Sequence, residues 1–223
     1  MTATDEFPST GIACYRGALD DEQMSLLATV FPYGETSRTP VPWGGAVLAL
    51  ASGDAPLMHL ARAHLPGKGI VRPVRAVLFD KGEDENRRRG WHQDHAMVVM
   101  KRADLPGIER WDRAIHELST PLLEAMVSVR CHLDGCVREE EMLRVVPGSH
   151  MLGRIAAADA RELAAVLGST ALDAAPGDVY VLAKAIVHSS HAADHWHRRV
   201  LQVDYANVAL PDGLQWQGIR AIR

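Results

Sequence analysis

Residues 91–95 read WHQDH, and they place three side chains that can bind a metal, His92, Asp94 and His95, close together in the chain. Successive side chains of a β-strand point to opposite faces of the sheet. If this stretch is extended, His92 and Asp94 share one face, while Gln93 and His95 share the other. One metal cannot then bind all three side chains, and His92 with Asp94 is the pair that we expect to supply two ligands.

The segments around this stretch are short runs rich in Val, Ile and Leu, bounded by Gly, Pro or charged residues. Such runs predict β-strands. They are VRAVLFDK (74–81), HAMVVMK (95–101), MVSVRCHLD (126–134), LRVVPGSH (143–150), GDVYVLAKAIVHSS (177–190) and RRVLQVDYANVAL (198–210). Six or more short strands that follow one or two helices predict a mainly β fold, a double-sheet jelly roll with helices packed on its outside.

Three amphipathic segments predict the helices. They are LDDEQMSLLATVF (19–31), DAPLMHLARAHL (54–65) and AADARELAAVLG (157–168), each with a capping residue or a terminating Pro or Gly. We expect a helical N-terminal part at 1–70 and a β core at about 71–210, within one domain that spans 1–223.

Composition narrows the class of partner. The chain has 24 Lys and Arg against 28 Asp and Glu, a net charge of -4, so no basic field is expected to attract nucleic acid or an anionic membrane. No segment approaches the ~18 consecutive apolar residues of a membrane span, and no export signal is recognised at the N-terminus. The 3 cysteines have no paired spacing. We expect a cytoplasmic protein with reduced thiols and a small-molecule substrate; the oligomeric state is not predicted.

A third metal ligand is expected in the segment AIVHSSHAADHWH (185–197), which contains His188, His191, His195 and His197. Of these, His188 directly follows an apolar run, so a rigid element would hold it best. Two histidines and one carboxylate, with open positions, suit non-haem Fe(II).

Arg198 and Arg199 open the last predicted strand. A guanidinium can donate two parallel hydrogen bonds to a carboxylate, which a lysine cannot do. The two arginines face opposite ways on a strand, and periodicity alone leaves open which one faces the site. Both could also be solvated charges on an edge strand.

The ordered set WHQD, LRVVPGSH, PGDV before an apolar run that ends in HSS, and RR followed by an aromatic residue resembles the phytanoyl-CoA dioxygenase family. These are Fe(II)- and 2-oxoglutarate-dependent oxygenases, and the resemblance extends from about Arg75 to Tyr205. It implies a cupin-like double-stranded β-helix, with Fe(II) at its mouth, 2-oxoglutarate chelating the metal, and O2 as the second cosubstrate.

By this resemblance, His92, Asp94 and His188 are the metal ligands. Arg198, which lies seven positions before an aromatic residue as in the family, is expected to bind the far carboxylate of 2-oxoglutarate, with Arg199 as the fallback. The implied reaction is hydroxylation of an unactivated carbon, with release of succinate and CO2. Because Asp94 is present, hydroxylation is favoured over halogenation; desaturation, cyclisation and epimerisation stay open.

The substrate class is inferred from charge. Arg87, Arg88 and Arg89 precede the first ligand and could attract an anion, so we expect a small carboxylate-bearing or secondary metabolite. Two other classes are considered: a non-catalytic β-helix protein that binds a metal or ligand, and a non-redox cupin-like metalloenzyme. The latter would use a fourth histidine, from His95 or the segment after the distal ligand.

Overall fold

The computed structural model describes residues 6–31, 39–40, 44–81, 89–103, 110–138, 141–190 and 198–218. The helices in these ranges are α1 (Phe7–Thr10), α2 (Asp21–Ala28), α3 (Gly45–Ala51), α4 (Pro56–His64), α5 (Thr120–Glu124) and α6 (Ala157–Leu167). The strands are β1 (Ile12–Tyr15), β2 (Thr39–Pro40), β3 (Arg72–Lys81), β4 (Arg89–His92), β5 (Ala96–Arg102), β6 (Trp111–Glu117), β7 (Met126–His132), β8 (Leu143–Val145), β9 (Thr170–Leu172), β10 (Val179–Ala183), β11 (His188–Ser190), β12 (Arg198–Ala206) and β13 (Leu214–Trp216). None of the described helices is long and apolar enough to cross a membrane.

Two antiparallel sheets build the barrel. The first sheet has the order β1-β10-β7-β12-β3-β2, and the second has the order β4-β11-β8-β9; β13, β5 and β6 form a smaller third sheet. From β3 to β12 the chain winds back and forth between the first two sheets. This winding is the double-stranded β-helix of the jelly-roll class, so the predicted fold class is confirmed.

The first sheet is covered on both faces. Its outer face packs Leu201, Val203 and Tyr205 of β12 against Leu27 of α2 and Leu57 of α4. Its inner face meets the second sheet through an apolar cluster that includes Tyr180, Leu182, Val145 and Leu172. Near His92, Asp94 and His188, by contrast, polar side chains occupy the interior between the two sheets.

The three predicted helices are confirmed as α2, α4 and α6. Helix α2 begins with a capping box, in which the Asp20 carboxylate accepts a hydrogen bond from the Gln23 backbone and the Gln23 side chain accepts one from the Asp20 backbone. The N-terminal part is not wholly helical, however. β1 and β2 belong to the first sheet, at its two edges.

One predicted strand is wrong. The run 177–190 forms two strands in different sheets, β10 and β11, separated by a turn in which Ile186 N–H donates to the Ala183 carbonyl. Lys184 turns into the interior, where it lies 3.1 Å from Asp204. Val187 N–H donates to Ser149 Oγ rather than to a neighbouring strand. His188 therefore follows a turn that is held by these contacts, and it is the first residue of a new strand.

Candidate metal centre

The structure brings together the three residues that we predicted as metal ligands. His92 ends β4, His188 begins β11, and the two residues are direct partners across the sheet. Their ring centroids are 4.4 Å apart. One potential ligand atom from each of His92, Asp94 and His188 lies within 4.8 Å of the others. Asp94 lies beyond the end of β4, yet it still faces the same side as His92.

Both histidines are oriented by their own backbone. His92 Nδ1 lies 2.7 Å from the Gly90 carbonyl, and His188 Nδ1 lies 3.0 Å from the Ile186 carbonyl. Because a carbonyl oxygen can only accept a hydrogen bond, each ring carries its hydrogen on Nδ1 and leaves the Nε2 lone pair free. His92 Nε2 is buried, has no hydrogen-bond partner, and is 3.8 Å from Asp94 Oδ1. Burial lowers the pKa of His188 to about 4, so the ring is neutral at pH 7.

Two cations hold the other oxygen of the carboxylate. Asp94 Oδ2 lies 3.5 Å from Arg75 Nη2 and 3.6 Å from Lys184 Nζ. Burial alone would raise the pKa of Asp94, but the charges of Lys184 and Arg75 outweigh it and lower the pKa well below its usual range. Asp94 is therefore ionised, with Oδ1 directed to the histidines. Two imidazole Nε2 atoms and one anionic oxygen form a donor set that fits Fe(II).

Asp204 anchors the same two cations from the opposite side. Its carboxylate accepts hydrogen bonds from Ser128 Oγ (2.6 Å), Gln202 Nε2 (2.9 Å), Arg75 Nε (2.6 Å) and Lys184 Nζ (3.1 Å). Burial would raise the pKa of this carboxyl, but Arg75 and Lys184 lower it to about 2.

This network was not predicted. Its signal in the sequence is the alternation of polar residues in otherwise apolar strands: Ser128, Arg130 and His132 in β7, and Gln202 and Asp204 in β12.

Gln93 and His95 are turned away from the three ligands, as the alternation predicted. The Gln93 amide donates to the carbonyls of Ala185 (2.6 Å) and Gly153 (3.0 Å), and its oxygen accepts from Ile155 N–H and His95 Nε2. His95 is thus bonded to Gln93 and is outside the group that could hold a metal. His191, His195 and His197 lie outside the described residues, as do Arg87 and Arg88.

The two candidate arginines face opposite sides of β12. Arg198 is 6% exposed and points into the barrel, where Nη1 donates to the Glu141 carbonyl and lies 3.4 Å from Cys136 Sγ. Its Nε has no hydrogen-bond partner. Arg199 faces outward and forms two 2.8 Å hydrogen bonds to the Asp134 carboxylate.

The PGSH segment supports the site without facing it. Gly148 has a φ of 79°, a left-handed conformation that favours glycine, and it opens a short 3-10 helix at Ser149–Leu152. Ser149 Oγ donates to the Val146 carbonyl and accepts from Val187 N–H, one residue before His188. The serine of this segment therefore fixes the backbone that leads to His188.

Comparison with known proteins places the chain in a family. The family model for phytanoyl-CoA dioxygenase (PhyH) matches residues 37–200, so the chain belongs to this family, and the resemblance seen in the sequence is confirmed. A search of curated proteins found no match.

Solved structures share the fold at low sequence identity. EvdMO1 is 20% identical with a TM-score of 0.66, and the match covers 93% of this chain and 50% of that one, so this chain spans about half its length. SnoK, an alpha ketoglutarate dependent carbocyclase from nogalamycin biosynthesis, is 14% identical over 98% of this chain and 92% of that one, with a TM-score of 0.67. The epimerase SnoN, solved with Fe3+, alpha ketoglutarate and nogalamycin RO, is 14% identical over 99% and 92%, with a TM-score of 0.63.

Proposed function

We propose that this PhyH-family protein is a non-haem Fe(II)- and 2-oxoglutarate-dependent dioxygenase. The observation that carries the proposal is the convergence of His92 Nε2, Asp94 Oδ1 and His188 in one half-buried group, with both rings held in the metal-binding tautomer. These three residues would hold Fe(II). When bound, the metal with 2-oxoglutarate and O2 supplies the oxidation of an unactivated carbon, coupled to release of succinate and CO2.

The residues of the chain have separate parts in this chemistry. Arg75 and Lys184 hold Asp94 Oδ2, which keeps Oδ1 available to the metal. Arg198 is the proposed anchor for the far carboxylate of 2-oxoglutarate, because it is buried, faces inward and has no carboxylate partner among the described residues. Arg199 is already committed to Asp134, so it is the weaker candidate.

The substrate and the outcome belong to the proposal. Arg89 is exposed three residues before His92, where it can attract an anion, and we propose a small carboxylate-bearing or secondary metabolite. Hydroxylation is the proposed outcome, although the structural neighbours include a carbocyclase and an epimerase. The compounds that stimulate succinate release above the uncoupled background, with iron and ascorbate present, identify the substrate. A protein that none of them stimulates is better explained as a non-catalytic binding protein.

The metal ligands are tested by spectroscopy. Under anaerobic conditions, the wild-type protein with Fe(II) and 2-oxoglutarate is expected to show a weak visible charge-transfer band, and His188→Ala is expected to abolish it. His59→Ala, which changes an exposed histidine of α4, is the matched control and should keep the band. A wild-type protein without a band would contradict the proposed function, and a band that persists in His188→Ala would exclude the third ligand.

The two arginines are tested by the affinity of the Fe(II) protein for 2-oxoglutarate. Arg198→Ala is expected to raise the Kd by about ten- to a hundredfold, the effect of losing a hydrogen bond between charged groups. Arg199→Ala is expected to leave the Kd nearly unchanged and to lower thermal stability, because it breaks the pair with Asp134. The reverse order of Kd values would exchange their roles.

A further inference from the structure

The interior of the β-helix carries more positive than negative charge among the described residues. The two carboxylates there, Asp94 and Asp204, are both contacted by Arg75 and Lys184. Two further guanidinium groups, of Arg130 and Arg198, lie in the same interior and form no ion pair with a carboxylate of the described residues. The described residues of the site therefore carry a net positive charge in the absence of a bound ligand.

Arg130, like Arg198, is enclosed within the barrel wall. It lies in the middle of β7, is 9% exposed, and its Nε has no hydrogen-bond partner. Its Nη1 donates to the neutral amide of Gln202, and its guanidinium carbon lies 5.1 Å from the centre of the Phe79 ring. Burial, with the nearby charge of Arg198, lowers the pKa of Arg130 to about 10, so the group is still charged at pH 7. A buried cation that no carboxylate contacts directly is unfavourable, and a bound anion would stabilise it.

Arg130 also lies where an anion on the metal would extend. It lines a narrow cavity that Asp94 and His188 line as well, with Ser128 and Gln202. Along β7, Arg130 is two positions beyond Ser128, which bonds Asp204; two strand residues advance about 7 Å. This distance is comparable to the length of 2-oxoglutarate, whose five carbons span about 5 Å when extended.

We propose that Arg130 is a second cationic contact for the far carboxylate of 2-oxoglutarate, beside Arg198; this rests on the proposed function. The two oxygens of a carboxylate can accept hydrogen bonds from two guanidinium groups. The bound dianion then neutralises the positive charge that Asp94 and Asp204 do not neutralise. The same arrangement selects dianionic 2-oxo acids over monoanionic ones, since only the former carry a far carboxylate.

The test combines ligand affinity with the stability of the ligand-free protein. Arg130→Met is expected to raise the Kd of the anaerobic Fe(II) protein for 2-oxoglutarate by about ten- to a hundredfold. It is expected to leave the Kd for 2-oxobutyrate, which has the same chelating end but no far carboxylate, unchanged. The same variant without ligand should melt at a higher temperature than wild type, because an unpaired buried charge is removed.

The matched control is Arg16→Met. Arg16 pairs with Asp173 and Asp178, remote from the metal ligands, so its loss should lower the melting temperature and leave both Kd values unchanged. If Arg130→Met does not fold, Arg130→Gln, which keeps a donor for Gln202, is measured in the same way.

The outcomes separate this inference from the function on which it rests. A wild-type protein that binds 2-oxoglutarate and an Arg130→Met variant that binds it equally well would overturn the inference alone. Equal losses of affinity for 2-oxoglutarate and 2-oxobutyrate would also overturn it, since Arg130 would not be serving the far carboxylate. A wild-type protein that does not bind 2-oxoglutarate would overturn both proposals.

Discussion

Gln93 lies between two candidate metal ligands in the chain, yet its side chain ties together three other segments. The amide uses its nitrogen for the carbonyls of Gly153 and Ala185 and its oxygen for Ile155 N–H and the His95 ring. Ala185 belongs to the turn that leads to His188. Gln93 therefore connects the backbone that presents the first two ligands to the backbone that presents the third.

This connection predicts the effect of Gln93→Met. The variant keeps the length of the side chain but leaves buried backbone groups unsatisfied, so the free energy of unfolding should fall by roughly 2–4 kcal/mol. Urea denaturation of the metal-free protein measures it. Gln215→Met, at an exposed position of β13, should change the free energy of unfolding by less than about 0.5 kcal/mol. Equal values for the two variants would show that the Gln93 hydrogen bonds are not important for stability.

At the scale of the elements, periodicity predicted the segments that have one apolar and one polar face. Helices α2, α4 and α6 and strands β3, β5, β7 and β12 all lie where the pattern placed them. The run 177–190 shows no alternation of apolar and polar residues, because strands buried on both faces read as continuous apolar sequence. Its break at 184–187 depends on contacts with Asp204 and Ser149, which are remote in the chain.

In the candidate site as well, some features follow from the local sequence pattern and others only from tertiary contacts. Alternation separated His92 and Asp94 from Gln93 and His95, and it separated Arg198 from Arg199, but it could not tell which of the two arginines faces the interior. The pairing of Arg199 with Asp134, 65 residues away, distinguishes them only in the folded chain. Arg130 and Asp204 were missed, since the alternation on their strands indicates a polar face but not what that face contacts. Lys184 was missed because it is a single polar residue in an apolar run.

Across the whole molecule, the two faces of the first sheet have different roles. The outer face packs apolar side chains against the N-terminal helices, and the inner face carries the polar side chains of the candidate site. The largest apolar cluster lies between the outer face of this sheet and the N-terminal helices. The inner face carries Ser128, Arg130, Gln202 and Asp204 towards the candidate metal ligands. The N-terminal region therefore allows the barrel to fold around a polar interior, because much of the buried apolar surface lies outside the barrel.

The buried carboxylate of Asp204 makes the stability of the whole molecule depend on pH. Its pKa is about 2 in the folded protein and about 3.9 in an unfolded chain. Because the folded pKa is the lower one, the ionised carboxylate stabilises the fold fully above about pH 5, and this contribution is progressively lost as the pH falls through about 2. The difference in pKa corresponds to about 2–3 kcal/mol.

Asp204→Asn isolates this contribution, because the amide does not titrate over this range. The wild-type protein should exceed the variant in free energy of unfolding by a constant amount above about pH 5, and this excess should shrink by about 2 kcal/mol between pH 5 and pH 2. Urea denaturation at a series of pH values measures both proteins. Asp212→Asn, at an exposed position, should follow the wild type at every pH. A difference between Asp204→Asn and wild type that stays constant down to pH 2 would mean that Arg75 and Lys184 do not hold Asp204 in its ionised form, and the charge arrangement around Asp94 would need another explanation.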